Sequence, residues 1–173
     1  MPADNPNLVP IRPSARLREL GIELPTAPSP LGAYVETAQA GPLLFLSGML
    51  PLVHGKLCFT GRFGENLTIA QGREAARMAA LNALAVASHR LQGLDRVQGV
   101  VRLGVSMVTT PDFVEHVPVA DAASELFAAI FGQDPGHTRL ICGVQSLPIG
   151  TPLVLEVIFR LDESTGPQPA PAR

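Results

Sequence analysis

The chain has no tryptophan and a single tyrosine, Tyr34. Few aromatic platforms are therefore available for stacking nucleic-acid bases. Charge is also sparse: 16% of residues are Asp, Glu, Lys or Arg, the net charge is -2 and the pI is about 6.1. Tight nucleic-acid binding draws its affinity from Lys and Arg that neutralise phosphates. The nearest basic groupings, Arg12 with Arg16 and Arg18, and Arg73 with Arg77, are too short to make a stripe. Long apolar runs are missing too. The most apolar stretch, Leu43 to Val53, is broken by Ser47, Gly48 and Pro51 and falls short of a membrane span. The opening Met-Pro-Ala-Asp-Asn lacks a basic region followed by an apolar one, so no secretory signal is read and a cytoplasmic protein is expected.

Only two cysteines occur, Cys58 and Cys142, far apart and without metal-ligand spacing. Both lie among apolar neighbours in strand-like segments, where a free Cys usually serves as a small buried hydrophobe. His54, His89, His116 and His137 show no His-x-x-x-His pattern. Neither a metal nor an organic cofactor is expected.

What is present is a chain of 173 residues, 46% of them apolar, enough for one globular domain with a substantial core. Residues 1–12, with three prolines, read as a flexible N-terminus, residues 13–162 as the domain, and residues 163–173 as a disordered tail. Ser14 to Leu20 reads as a short helix with Ser14 as N-cap and Gly21 ending it. Tyr34 to Ala40 and Leu43 to Ser47, separated by Gly41-Pro42, form a hairpin pattern, and a further short strand is expected around Leu57 to Thr60. Thr68-Ile-Ala-Gln71 matches a capping box that opens a helix running to about Leu91, stopped by Gly93. Its small residues Gly72, Ala76, Ala79 and Ala83 recur at three- and four-residue steps, which lets the helix lie close on a sheet. Val97 to Val108 reads as a strand, Val117 to Phe131 as a second helix capped by Gly132, and Thr138 to Gln145 and Leu153 to Leu161 as two closing strands. The arrangement is α+β, with two main helices on one face of a five- or six-stranded sheet. The other face would carry Val, Leu and Ile into water unless a second copy covers it.

Three segments stand out: Gly32-Ala-Tyr34, Leu44-Phe-Leu-Ser47-Gly48-Met-Leu-Pro51, and Gly136-His-Thr-Arg139 leading to Leu147-Pro148. In this order and spacing they resemble the YjgF-like family, which includes the Rid deaminases and proteins known as L-PSP endoribonucleases. The resemblance covers about residues 31 to 161, and the N-terminal Arg-Leu-Arg-Glu-Leu-Gly-Ile segment looks like a longer branch. It implies a chorismate-mutase-like fold with a mixed sheet, and a homotrimer with ligand clefts between subunits.

On this resemblance Arg139 occupies the place of the arginine that grips a substrate carboxylate. A guanidinium suits the task, since it offers parallel donors and stays charged; the alternative is an edge-strand Arg paired with a nearby acid. Gly48, after Ser47, falls where the family uses a backbone amide as an anion donor, or else simply makes a tight turn. Tyr34 matches the family's cleft tyrosine, or packs with a satisfied hydroxyl. Asp121 lies near a position where relatives have Asn, or stabilises the first turn of its helix. The deaminases' water-orienting Glu is matched by Val154, which can neither accept a proton nor orient water. Glu156, two residues on and on the same sheet face, is a candidate substitute or a structural acid. His137 could share a face with Arg139 as a proton shuttle, or sit in solvent.

The function implied is hydrolysis of small imine or enamine acids to 2-oxo acids, with Arg139 holding the carboxylate and Glu156 the candidate for water. The competing expectation, favoured by Val154, is a noncatalytic trimer that binds small carboxylates. RNA cleavage is disfavoured by the acidic balance and by the absence of a His/Lys general-base cluster.

Overall fold

The computed structural model of the protein describes residues 12–132 and 136–163. The readings of residues 1–11 and 164–173 as loose termini lie outside the described residues. Element order is α1 (Pro13–Glu19), β1 (Thr37–Ala40), β2 (Leu43–Leu46), β3 (Leu52–Val53), β4 (Lys56–Leu57), α2 (Ile69–Leu91), β5 (Val97–Val108), α3 (His116–Phe131), β6 (Thr138–Val144) and β7 (Leu153–Leu161). A five-stranded sheet runs in the order β1-β2-β7-β5-β6, antiparallel except for the parallel pair β5–β6, and β3–β4 forms a separate hairpin.

The long helix α2 starts where Thr68 and Gln71 satisfy each other's backbone amides in a capping box. It ends with Gln92 in the left-handed region and the Gly93 amide on the Ser88 carbonyl. Gly72, Ala76, Ala79 and Ala83 are all buried, which lets α2 lie against the sheet and α3 at short range. Gly72 is the tightest point: a Cβ there would stand 2.5 Å from the Phe63 ring and 3.0 Å from Val119. Leu103, Val105 and Met107 of β5 pair with Val157, Leu155 and Leu153 of β7, and all six are buried beneath the helices. Phe127 of α3 meets Phe159 of β7 edge to face, with centroids 5.9 Å apart.

The opposite face carries Arg102, Gly104 and Ser106 of β5 beside Ile158, Glu156 and Val154 of β7, with Phe45 of β2 next to Ile158. Leu140 and Cys142 of β6 lie alongside Gly104 and Ser106 in the parallel register. Phe45 is 39% and Leu140 50% exposed, so apolar side chains meet solvent on this face of the single chain. Among the described residues no helix is long and apolar enough to cross a membrane.

Several local expectations are corrected. Both cysteines are exposed, because Cys142 points to the uncovered face and Cys58 follows the small β3–β4 hairpin. The strand expected at 57–60 is replaced by that hairpin, turned by His54 and Gly55 at positive φ. Helix α1 begins at Pro13 with Arg12 as N-cap, and the Ser14 amide instead donates to the Asp95 carboxylate at 3.0 Å. Arg73, one of the short basic grouping with Arg77, pairs with Glu125 at 2.7 Å and donates to the Pro118 carbonyl.

The segment leaving β2 is held from below. Asn82 of α2, 1% exposed, donates through Nδ2 to the Leu50 carbonyl at 2.8 Å and the Leu52 carbonyl at 3.0 Å. Asn82→Ala removes both bonds, leaving the Leu50 carbonyl only the Leu52 amide and the Leu52 carbonyl without this donor, and is expected to cost about 1–3 kcal/mol. Urea unfolding would read this as a lower midpoint at unchanged slope. An unchanged midpoint would show that the amide does not anchor the segment.

Candidate functional site

The candidate residues fall into two groups. The first lies between α3 and the edge strand β6. Arg139 is in register with Leu103 of β5, so its side chain turns to the helix side of the sheet. There its Nη1 donates to Asp121 Oδ1 at 2.7 Å and to Ser124 Oγ at 3.0 Å. Asp121 and Ser124 are three apart on α3 and therefore share a helix face. Asp121 is not in the first turn of its helix, which starts at His116, and its partner is Arg139. The pair is partly solvated, with side chains 23% and 38% exposed. Ion pairs of that kind contribute at most about 1 kcal/mol. Both contacts use one nitrogen, and among the described residues Nε and Nη2 of Arg139 carry no hydrogen bond. The guanidinium is steered by Asp121 and keeps donors for an incoming carboxylate.

His137 joins this group. Its Nε2 lies 3.0 Å from Ser124 Oγ, so Ser124 links the imidazole to the guanidinium. Burial pushes the His137 imidazole below its usual 6.5, and the neighbouring Arg139 charge pushes the same way. The sequence expectation placed His137 beside Arg139 but did not include Ser124. The signal for Ser124 was its three-residue spacing from Asp121.

The second group lies where β2 leaves the sheet. The Ser47 amide donates to the Glu36 carbonyl at 2.9 Å and Ser47 Oγ to the Val35 carbonyl at 2.7 Å, which ties Val35 and Glu36 to the residue before Gly48. Tyr34 accepts the Leu31 amide on its hydroxyl at 3.1 Å. Met49 and Leu155 exchange backbone bonds of 2.8 and 2.9 Å, laying the segment along β7. A Cβ at Gly48 would stand 2.7 Å from Val154 Cγ1, so glycine is required by this approach. Gly48 is exposed, and its amide carries no hydrogen bond among the described residues. Leu31, Tyr34, Glu36, Ser47 and Gly48 line a recess with about 20 Å³ of free space. That is room for about one water, not for a substrate.

The structure brings Tyr34, Ser47, Gly48 and Val154 together, and brings Arg139, Asp121 and His137 together. Within one chain it does not join the two groups. Val154 and Glu156 share the uncovered face, whereas Arg139 points to the helix side. Glu156 lies 4.0 Å from Arg102 and packs over Gly104. Among the described residues no three His, Cys, Asp or Glu side chains gather as metal ligands.

A pH dependence follows from His137. Its folded pKa is depressed, so its contribution to stability is full above the unfolded value and is lost as pH falls through 6.5 towards the folded pKa. An NMR titration should find His137 titrating below 6.5 and moving upward in Arg139→Gln, where burial remains and the positive neighbour is gone. A His137 pKa at or above 6.5 would contradict the arrangement.

Comparison with known proteins identifies the fold and the family. Residues 14–161 match the family model described as "YjgF/chorismate_mutase-like, putative endoribonuclease". The chain is 38% identical over 152 residues to protein TCP17 of Trypanosoma cruzi, covering 87% of this chain and 95% of that one. A crystal structure described as a "putative endoribonuclease" from Shewanella oneidensis superimposes with a TM-score of 0.82 at 31% identity, covering 87% of this chain and 99% of that one. RidA from an Antarctic Psychrobacter shares the fold, with a TM-score of 0.57 at 20% identity over 79% of this chain and 94% of that one. The capped helix on a mixed sheet, the Ser47-Gly48 turn and the edge-strand Arg139 are thus features of a chain that belongs to the YjgF-like (Rid) family.

Proposed function

We propose that the protein is a Rid-type hydrolase that converts small imine or enamine acids to 2-oxo acids and ammonia. It works as a homotrimer in which the Arg139 group of one chain and the Gly48 recess of the next face each other across a cleft. The observation that carries this reading is Arg139: a charged fork at a sheet edge, oriented by Asp121 and Ser124, with Nε and Nη2 uncommitted among the described residues. Such a fork suits a carboxylate. The uncommitted Gly48 amide is a second donor for the same anion or for the developing charge. An imine carbon is already electrophilic, so a held substrate beside a positioned water gains most of its rate from proximity. The trimer is supported by the apolar face left uncovered by α2 and α3 and by the small size of the recess in one chain.

A second reading is a noncatalytic trimer that binds small carboxylates. Val154 favours it, because valine cannot handle a proton. RNA cleavage is the least supported reading, since the chain carries a net charge of -2 and no stripe of basic residues.

Purified protein is expected to shorten the lifetime of 2-iminopropionate. Arg139→Ala should lower kcat/KM roughly 10²-fold, the scale on which truncating one partner of a desolvated charge pair acts. Sedimentation should give a species about three times the 18.2 kDa chain mass. An unchanged imine lifetime with pyruvate still bound would establish the binding reading, and an RNase activity abolished by Arg139→Ala would establish the third.

A further inference from the structure

The geometry points to Glu36 as the catalytic carboxylate of this cleft, the group that takes the proton from the attacking water; the inference rests on the deaminase reading above. Imine hydrolysis needs a proton acceptor beside the water, and Val154, the residue packed on Gly48, cannot serve. Glu36 is the one acidic residue lining the recess, which it shares with Tyr34, Ser47 and Gly48. Its backbone is fixed there by the Ser47 amide on the Glu36 carbonyl at 2.9 Å. Its carboxylate makes no hydrogen bond or ion pair among the described residues.

Every other acid near the two groups is engaged. Asp121 is held by Arg139 at 2.7 Å. Glu156 lies 4.0 Å from Arg102 and has its side chain over Gly104, one strand repeat beyond Val154. Glu36 is a half-buried residue with no cation paired to its carboxylate among the described residues, and it lines a crevice with room for about one water, a placement that suits water chemistry.

The step balances without a further reactant. The water oxygen forms its bond to the imine carbon while its proton passes to Glu36. The electron pair of the C=N bond moves to nitrogen, which takes a proton back from Glu36 to give the neutral carbinolamine. The hydroxyl proton then passes to Glu36 and on to the nitrogen, the C–N bond breaks, and ammonia leaves as the carbonyl forms. Glu36 ends as the carboxylate it began as.

The test uses full-length protein with 2-iminopropionate as substrate and pyruvate as the binding probe. Glu36→Gln should lower kcat about 10²-fold, the usual contribution of a general base. KM and pyruvate affinity should stay within a few-fold, which also reports that the variant is folded and assembled. Glu36→Asp should retain part of the rate, and Glu156→Gln should leave it near wild type. A wild-type kcat in Glu36→Gln, a loss of pyruvate binding together with rate in that variant, or a comparable fall in kcat for Glu156→Gln overturns the assignment while leaving deamination standing. Wild-type protein that does not hasten imine decay overturns the deaminase reading and this inference with it.

Discussion

A β-strand sends successive side chains to opposite faces of its sheet, and this period of two governs where chemistry can occur in this molecule. On β6 it turns Arg139 towards α3, and on β7 it turns Val154 and Glu156 away from the helices. The helix layer covers one face only, so the outward-facing residues of β7 lie on the side where Phe45 and Leu140 remain exposed. No side-chain rotation carries Arg139 through the sheet to Gly48 or Val154. A site that needs an arginine from one face and a backbone donor from the other must therefore draw on two chains. In this account the uncovered face and the divided site have one cause.

The Arg139 group shows how the fold orients a guanidinium without consuming it. Asp121 and Ser124 take one nitrogen and leave the others, and partial exposure keeps that ion pair weak. An incoming carboxylate that makes two parallel bonds competes with it on favourable terms. Ser124 also bonds His137, whose protonation is disfavoured by burial and by the adjacent positive charge. The result is a cation next to an imidazole whose neutral form is favoured, a combination suited to anion binding.

Much of this was legible in the residues. The capping box at Thr68 and Gln71 and the strands Val97–Val108 and Leu153–Leu161 were readable because local hydrogen bonding or burial beneath helices imposes a period on the sequence. The family motifs placed Arg139, Gly48 and Tyr34 in order along the chain. Other features escaped because they are set by contacts between distant segments. An acid partner for Arg139 was the alternative reading and the ion pair matches it, but that the acid is Asp121 depends on how α3 lies over the edge strand. The cysteines looked like core residues because their neighbours are apolar, but an edge strand and a small hairpin leave both exposed. Glu36 drew no notice because nothing in its local sequence marks a crevice; the fold of the Ser47 segment over it makes one.

Subunit mixing tests the divided site most directly. Arg139→Ala and Gly48→Val each damage one of the two groups, the second because a side chain at 48 strikes Val154. Each variant alone should bind pyruvate poorly. Trimers refolded from equal amounts of both should regain roughly a quarter of the wild-type sites, since random assembly in a head-to-tail ring pairs an intact Arg139 with an intact neighbouring Gly48 at that frequency. Mixed trimers that bind no better than either parent would contradict the account, as would a protein that sediments as a single chain.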